Sequence, residues 1–229
     1  MWLTDAEWEA LRLSLSVTLR SVLVSLPVAI VIAWVLARRR FPGRMLFDAL
    51  VHLPLVLPPV VVGYLLLLVF GTHGPVGGWL LRTFDVRVAF TTNGAALATA
   101  VMAFPLMVRA IRISLEAVDR GLEEAARTLG AAPLDRFFSI TLPLMMPGVL
   151  AGAVTAFSAG LGEFGAVITF ASNIPGQTRT LPLALYTALQ LPNGDAEAAR
   201  LAAVSFTLGL LGLAGSELLA RRVRRYLGA

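Results

Sequence analysis

Long apolar runs alternate along the chain with short polar breaks. A transmembrane helix needs roughly 20 apolar residues. Five segments qualify: about 17–37, ending VAIVIAWVLA; about 51–70, containing HLPLVLPPVVVGYLLLLVF; about 93–113, around AALATAVMAFPLMV; about 140–160, ITLPLMMPGVLAGAVTAFSAG; and about 200–219, LAAVSFTLGLLGLAGSELL after Arg200. A sixth apolar stretch, FGAVITFAS at 164–172, is too short to cross alone, and Gly160, Gly162 and Gly165 set it off. The pattern predicts a broken or re-entrant segment over 160–172. Such backbone is tolerated at membrane depth only where protein or a water-filled path covers it. The expected fold is all-α: one transmembrane domain over 1–229, polytopic, with about five transmembrane helices. A six-span arrangement would require 164–172 to cross.

Composition agrees with the pattern. Of 229 residues, 57% are hydrophobic and 14% are charged, where a soluble domain carries about 25% charged residues. Mean hydropathy is +0.79. The N-terminal MWLTDAEWEA is acidic, which predicts no cleavable signal peptide. Cysteine is absent, so no disulfide, thiolate metal site or cysteine nucleophile exists. All 19 basic residues are arginine, so neither a Walker A phosphate loop nor a lysine Schiff base can form. His52 and His73 stand alone, without a second ligand at metal spacing. The net charge of +5 is explained by topology rather than by nucleic acid, because the arginines border the apolar runs.

Thirteen arginines fall in the loops 38–44 and 109–136 and in RRVRR at 221–225, against six on the other side. The positive-inside rule therefore predicts a periplasmic N-terminus and a cytoplasmic C-terminus. LPLVLPPVV (53–61) and LPLMMPGVL (142–150) share L-P-L-x-x-P-x-V. Either proline simply suits a first helical turn, or both spans need the same kinked start beside a pathway.

The predicted cytoplasmic loop 114–139 leads through EEAARTLGAAPLDRFFSITLPLMMPG (123–148) into the next span. Asp119 suits an N-cap, Gly130 a C-terminal stop and Pro133 the first turn of a second helix. Leu122, Ala125, Ala126 and Leu129 share one face. Glu123 and Arg127 have the spacing of an i,i+4 ion pair, worth about 0.2–0.5 kcal/mol. A short helix with a small apolar centre and a charged rim is either a docking knob for a cytosolic partner or a helix lying on the bilayer.

The spacing E-A-A-x3-G-x9-I-x-L-P is met in full by Glu124, Ala125, Ala126, Gly130, Ile140, Leu142 and Pro143. It resembles the EAA loop of permease subunits in binding-protein-dependent ABC importers of the type I fold. The resemblance implies a coupling helix seated on a separate ATP-binding subunit, which carries the ATP and Mg while this chain binds no cofactor. A narrower likeness spans nearly the whole chain. HLPLVLPPVVVGYLLL (52–67), MAFPLMVRAIR (102–112) and LGEFGAVITFASNIPGQTRTLPLALYTALQ (161–190) are similar to bacterial molybdate permeases. Tungstate and sulfate/thiosulfate permeases share pieces of these motifs. That likeness implies a non-catalytic subunit of the bacterial inner membrane. Its partners would be the lipid bilayer, a second copy of itself, two ATP-binding cassette subunits and a periplasmic molybdate-binding protein.

Glu163 lies in an otherwise apolar stretch, and a bare carboxylate would repel an anion. It is expected to cap the broken helix or pair with an arginine. The resemblance instead places it, with Phe164 and Gly165, near a gate on the pathway. Arg179 and Arg200, on the predicted outer side, are either ordinary loop arginines or contacts for a binding protein. Glu217 and Arg221 have the spacing of a local pair. A stand-alone secondary transporter would need an inverted repeat, for which five spans leave little room. An intramembrane enzyme would need a cluster of reactive side chains that the sequence lacks.

Overall fold

The structure, a computed structural model, describes residues 3–226, and the side chains of all of these except 216, 217 and 219–226. The expected Glu217–Arg221 pair lies outside the described side chains. Every element among the described residues is helical. In order they are α1 (Asp5–Arg38), α2 (Arg44–His52), α3 (Pro59–Phe70), α4 (Pro75–Phe84), α5 (Thr92–Glu116), α6 (Arg120–Thr128), α7 (Pro133–Arg136), α8 (Leu142–Leu161), α9 (Gly165–Phe170), α10 (Leu181–Ala188) and α11 (Asp195–Tyr226).

Four helical segments are long and apolar enough to cross a membrane: α1, α5, the run Pro133–Leu161 and α11. The segment expected to cross over 51–70 is a bent pair, which makes a fifth span if the pair is one broken crossing. A 3-10 turn at Leu53–Leu55 extends α2, and the chain then turns by 112° into α3. Pro54, Pro58 and Pro59 explain the break, since none can donate a backbone hydrogen bond and Pro59 starts α3 at its first turn. The matching L-P-L-x-x-P-x-V at 142–150 does not break. It runs within α8, preceded by a π-helical turn over Phe137–Thr141 in which the Leu142 N–H reaches back to the Phe137 carbonyl. The two copies of the pattern therefore do different things.

The core is a three-helix stack in which α5 lies between α1 and α8. Ala29, Ala33 and Leu36 of α1, Met107, Val108 and Ile111 of α5, and Met145, Val149 and Ala156 of α8 are buried together. Lipid tails offer helices no hydrophobic reason to associate, so small residues and close approach must do it. On α8, Gly148, Gly152, Ala156 and Gly160 recur at every fourth position and are all buried. A Cβ at Gly148 would lie 2.2 Å from Ser114 Cβ, and one at Gly152 would lie 3.0 Å from the Met107 carbonyl oxygen. At Gly160 it would lie 2.8 and 2.9 Å from the methyls of Thr99 and Thr18. This ridge lets α8 touch the backbone of α5 and the side chains of α1 at once.

A second core cluster surrounds α9. Ala166, Val167 and Phe170 are buried against Val62 and Leu66 of α3 and Ala95 and Ala98 of α5. Six residues of helix rise only about 9 Å, so α9 enters the bundle without crossing it. Its backbone is covered by protein, as non-helical chain at that depth requires.

Candidate functional site

The polar loop forms the helix pair read from the sequence. Asp119 caps α6, its carboxylate accepting from the Gly121 N–H at 2.8 Å. The helix ends in a Schellman turn. The Ala131 N–H donates to the Ala126 carbonyl at 3.0 Å and the Gly130 N–H to the Arg127 carbonyl at 3.1 Å. Gly130 takes φ +85°, a left-handed conformation that costs a residue with a Cβ about 1–2 kcal/mol. A Cβ there would meet nothing within 4 Å, so the glycine serves the turn and not packing. Pro133 then opens α7 at its first turn.

None of α6 is buried. Leu129 is 87% and Leu134 74% exposed, and Leu122 and Phe138 are exposed with them. Ala125 and Glu124 also face outward. Apolar side chains this exposed, on a helix already rimmed by charge, form a surface without a partner inside the chain.

The underside of α6 is held firmly. Glu123 does not pair with Arg127 as its spacing suggested. Its Oε1 accepts from Arg38 Nη2 at 3.1 Å and from the Thr141 hydroxyl at 2.9 Å. The reason is burial. Arg38 is only 8% exposed, and a guanidinium in that position gains far more from a carboxylate than the exposed Arg127 does. Arg38 also donates to the Val118 carbonyl, and Arg120 donates to the Ala37 carbonyl, each at 3.3 Å. Glu123 therefore joins three elements: the last turn of α1, the helix α6 and the π-turn that starts α8. Sequence spacing missed this joint, because its members lie 85 and 18 residues apart. The readable trace was a second glutamate beside Glu124 with no use for it. At the same end, Arg112 of α5 donates to Asp48 of α2 at 2.8 Å and to Glu116 at 2.9 Å.

The sequence-predicted gate residues lie at the far end of α8. Glu163 accepts the Ala166 N–H at 2.8 Å and so caps α9. Phe164 stacks obliquely on Tyr186, ring centres 5.1 Å apart. Gly165 meets α3, where a Cβ would lie 2.8 Å from Pro59 Cβ. Across the same contact, a Cβ on Gly63 would lie 2.7 Å from the Ala166 carbonyl oxygen. Helices α3 and α9 thus approach at the limit that glycine allows.

The two arginines expected on the outer side are engaged within the chain. Arg179 Nε donates to Asn173 Oδ1 at 3.0 Å, and Asn173 donates on to Thr187 at 2.8 Å, which braces the loop 172–180. Arg200 Nε donates to Glu7 Oε1 at 2.8 Å, and Glu7 is 1% exposed. Arg200 is therefore an internal clasp between α11 and α1 rather than a free loop arginine. Half of it was legible, because Thr4 and Glu7 have capping-box spacing and form that box. Its partner stands 193 residues away.

A polytopic helical bundle that keeps one short helix pair exposed beyond its apolar spans, rigidly jointed to two of them, has the architecture of a membrane transporter subunit built to receive a partner. The chain belongs to the family described as binding-protein-dependent transport system inner membrane component, which it matches over residues 25–225. It is 57% identical over 228 residues to the "Molybdenum transport system permease protein ModB" of Escherichia coli (strain K12), covering 100% of both chains. To the protein of the same name from Haemophilus influenzae it is 53% identical over 222 residues, 97% of each. Its fold matches a subunit in the crystal structure of a bacterial alginate ABC transporter in complex with alginate pentasaccharide-bound periplasmic protein. That match has a TM-score of 0.72 at 19% identity and covers 98% of this chain and 80% of that one.

Proposed function

We propose that this chain is the permease subunit of an ABC importer that carries molybdate across the bacterial inner membrane. Near-complete coverage by molybdate permease relatives at 53% and 57% identity supports the substrate. The arginine-rich end faces the cytoplasm, with the N-terminus periplasmic and the C-terminus cytoplasmic. Two copies of the chain pair in the membrane, two ATP-binding cassette subunits supply the ATP and Mg, and a periplasmic binding protein delivers the oxyanion. The binding protein selects among molybdate, tungstate and sulfate before the permease meets them.

One observation carries the coupling role: an exposed amphipathic helix, α6, whose underside is fastened to both α1 and α8 through Glu123. Closure of the ATPase subunits on α6 moves Arg38 and Thr141 with it. The glycine ridge of α8 then carries the displacement along α5. At the far end α8 meets Glu163, Phe164 and Gly165, where α9 and α3 form the gate. Glu124, Ala125, Ala126 and Gly130 make the docking face, while Ile140, Leu142 and Pro143 carry motion into α8.

Two substitutions test the docking face in the reconstituted transporter. Glu124→Lys reverses an exposed charge, and Gly130→Pro removes the Schellman turn. Membrane insertion should stay near the original level while ATPase stimulation by loaded binding protein falls at least about tenfold, the equivalent of one charged hydrogen bond. Normal uptake and normal stimulated ATPase in both variants would remove the docking assignment.

A further inference from the structure

Beside the docking face, the arginine-rich end holds a cavity of about 430 Å³ between the last turn of α1, the helix pair α6–α7 and the π-turn. Its wall carries five arginines, Arg38, Arg39, Arg120, Arg127 and Arg136. Two carboxylates, Glu123 and Glu124, oppose them. Glu123 is already engaged by Arg38 and Thr141, and Glu124 is exposed. The wall therefore has a surplus of three positive charges, five less two.

Two of these guanidinium groups are incompletely satisfied. Arg38 Nε and Arg136 Nε are buried and have no hydrogen-bond partner. The Arg38 side chain is more than nine-tenths buried, with 8% exposure. Buried donors are nearly always paired, and both of these incompletely satisfied side chains belong to the cavity wall. Guanidinium groups reach this space from α1, α6 and α7. A planar carboxylate presents acceptors in one plane, whereas a tetrahedral oxyanion presents them in several directions and suits converging forks. Trp34 closes one side, with the Arg39 guanidinium 5.1 Å from its ring centre. Tryptophan and arginine together mark headgroup depth in membrane proteins.

We propose that this cavity binds a tetrahedral oxyanion, either a free dianion such as phosphate or molybdate or the phosphate of an anionic lipid headgroup. Occupancy would bridge α1 to α6–α7 and stiffen the joint made by Glu123. Glu124 of the proposed docking face lies on the cavity wall while Leu129 and Leu134 do not, so the site borders that face, and ligand binding by the isolated chain tests it apart from the docking assignment.

The test uses the purified full chain in nanodiscs. One set, of phosphatidylcholine alone, is titrated with inorganic phosphate and with molybdate, and binding is read by calorimetry and tryptophan fluorescence. A second set contains phosphatidylglycerol, and thermal stabilisation is read without added phosphate. Arg136→Gln leaves the Arg38–Glu123 pair intact, so it probes the cavity without loosening the joint. Arg38→Gln is its companion, and Arg82→Gln on α4 is the control for general charge. Saturable phosphate or molybdate binding, weakened about tenfold by Arg136→Gln but not by Arg82→Gln, assigns the site to free oxyanion. Stabilisation by phosphatidylglycerol that Arg136→Gln abolishes, without binding of free oxyanion, assigns it to a lipid headgroup. The proposal is overturned if neither ligand acts, or if both act equally on the original chain and on Arg136→Gln and Arg38→Gln.

Discussion

Glu163 illustrates how much one side chain's role depends on a single acceptor. Its carboxylate accepts the Ala166 N–H at 2.8 Å, and a helix as short as α9 depends on having its first donors satisfied. Glutamine preserves that acceptor and removes the charge, while alanine removes both. Glu163→Ala should lower stability by about 1 kcal/mol, the usual worth of an N-terminal cap, and Glu163→Gln should leave both the melting temperature and uptake close to the original. Melting curves in detergent with parallel uptake assays check this. A glutamine variant that folds normally but does not transport would instead put the charge itself on the pathway. Sequence alone offered a cap as one reading and could not show it, because its donor is a backbone N–H three residues on.

At the scale of elements, α8 against α5 is the closest contact of the bundle core. The ridge of Gly148, Gly152, Ala156 and Gly160 leaves no room for a branched side chain, since a Cβ at Gly148 already falls 2.2 Å from Ser114 Cβ. Gly148→Val should cost about 1–3 kcal/mol through overpacking, seen as a lower thermal midpoint and reduced membrane yield. Gly209→Val, at a position where a Cβ meets nothing within 4 Å, is the matched control and should be neutral. The joint under α6 makes a different demand. Glu123→Gln keeps the shape but weakens the acceptor for Arg38, so coupling should fall while folding survives. An unchanged ratio of uptake to ATP hydrolysis in Glu123→Gln would remove the joint from the transmission route. Helix identities here were readable because caps, proline and glycine punctuate the chain locally. The break in the α2–α3 pair was harder to foresee. Pro58–Pro59 and Pro147 look alike in sequence, but only the first pair stands at a break, and the packing that keeps α8 continuous is not encoded nearby.

For the whole molecule, the arginines gather at one end. The pairs Arg38–Glu123 and Arg112–Asp48 place the ends of α1, α2, α5 and α6 together there. The proposed orientation can be checked directly, because the chain has no cysteine. Thr128→Cys and His73→Cys each introduce a single thiol at an exposed position. An impermeant maleimide added to intact cells should label His73→Cys and spare Thr128→Cys until the membrane is opened, and the reverse pattern would invert the topology. The five-span pattern and the polar loop were legible across the entire chain because hydropathy is a local signal. What was not legible are the side-chain pairs that close the bundle, such as Arg38–Glu123 and Glu7–Arg200, which join residues 85 and 193 positions apart. The clasp between Glu7 and Arg200 has a further consequence for biogenesis. Glu7 enters the growing protein almost at once, yet its counter-ion is made only when seven-eighths of the chain has left the ribosome. Until then the nascent helix bears an uncompensated carboxylate. A message cut short before codon 200 would yield a product whose Glu7 never meets its arginine.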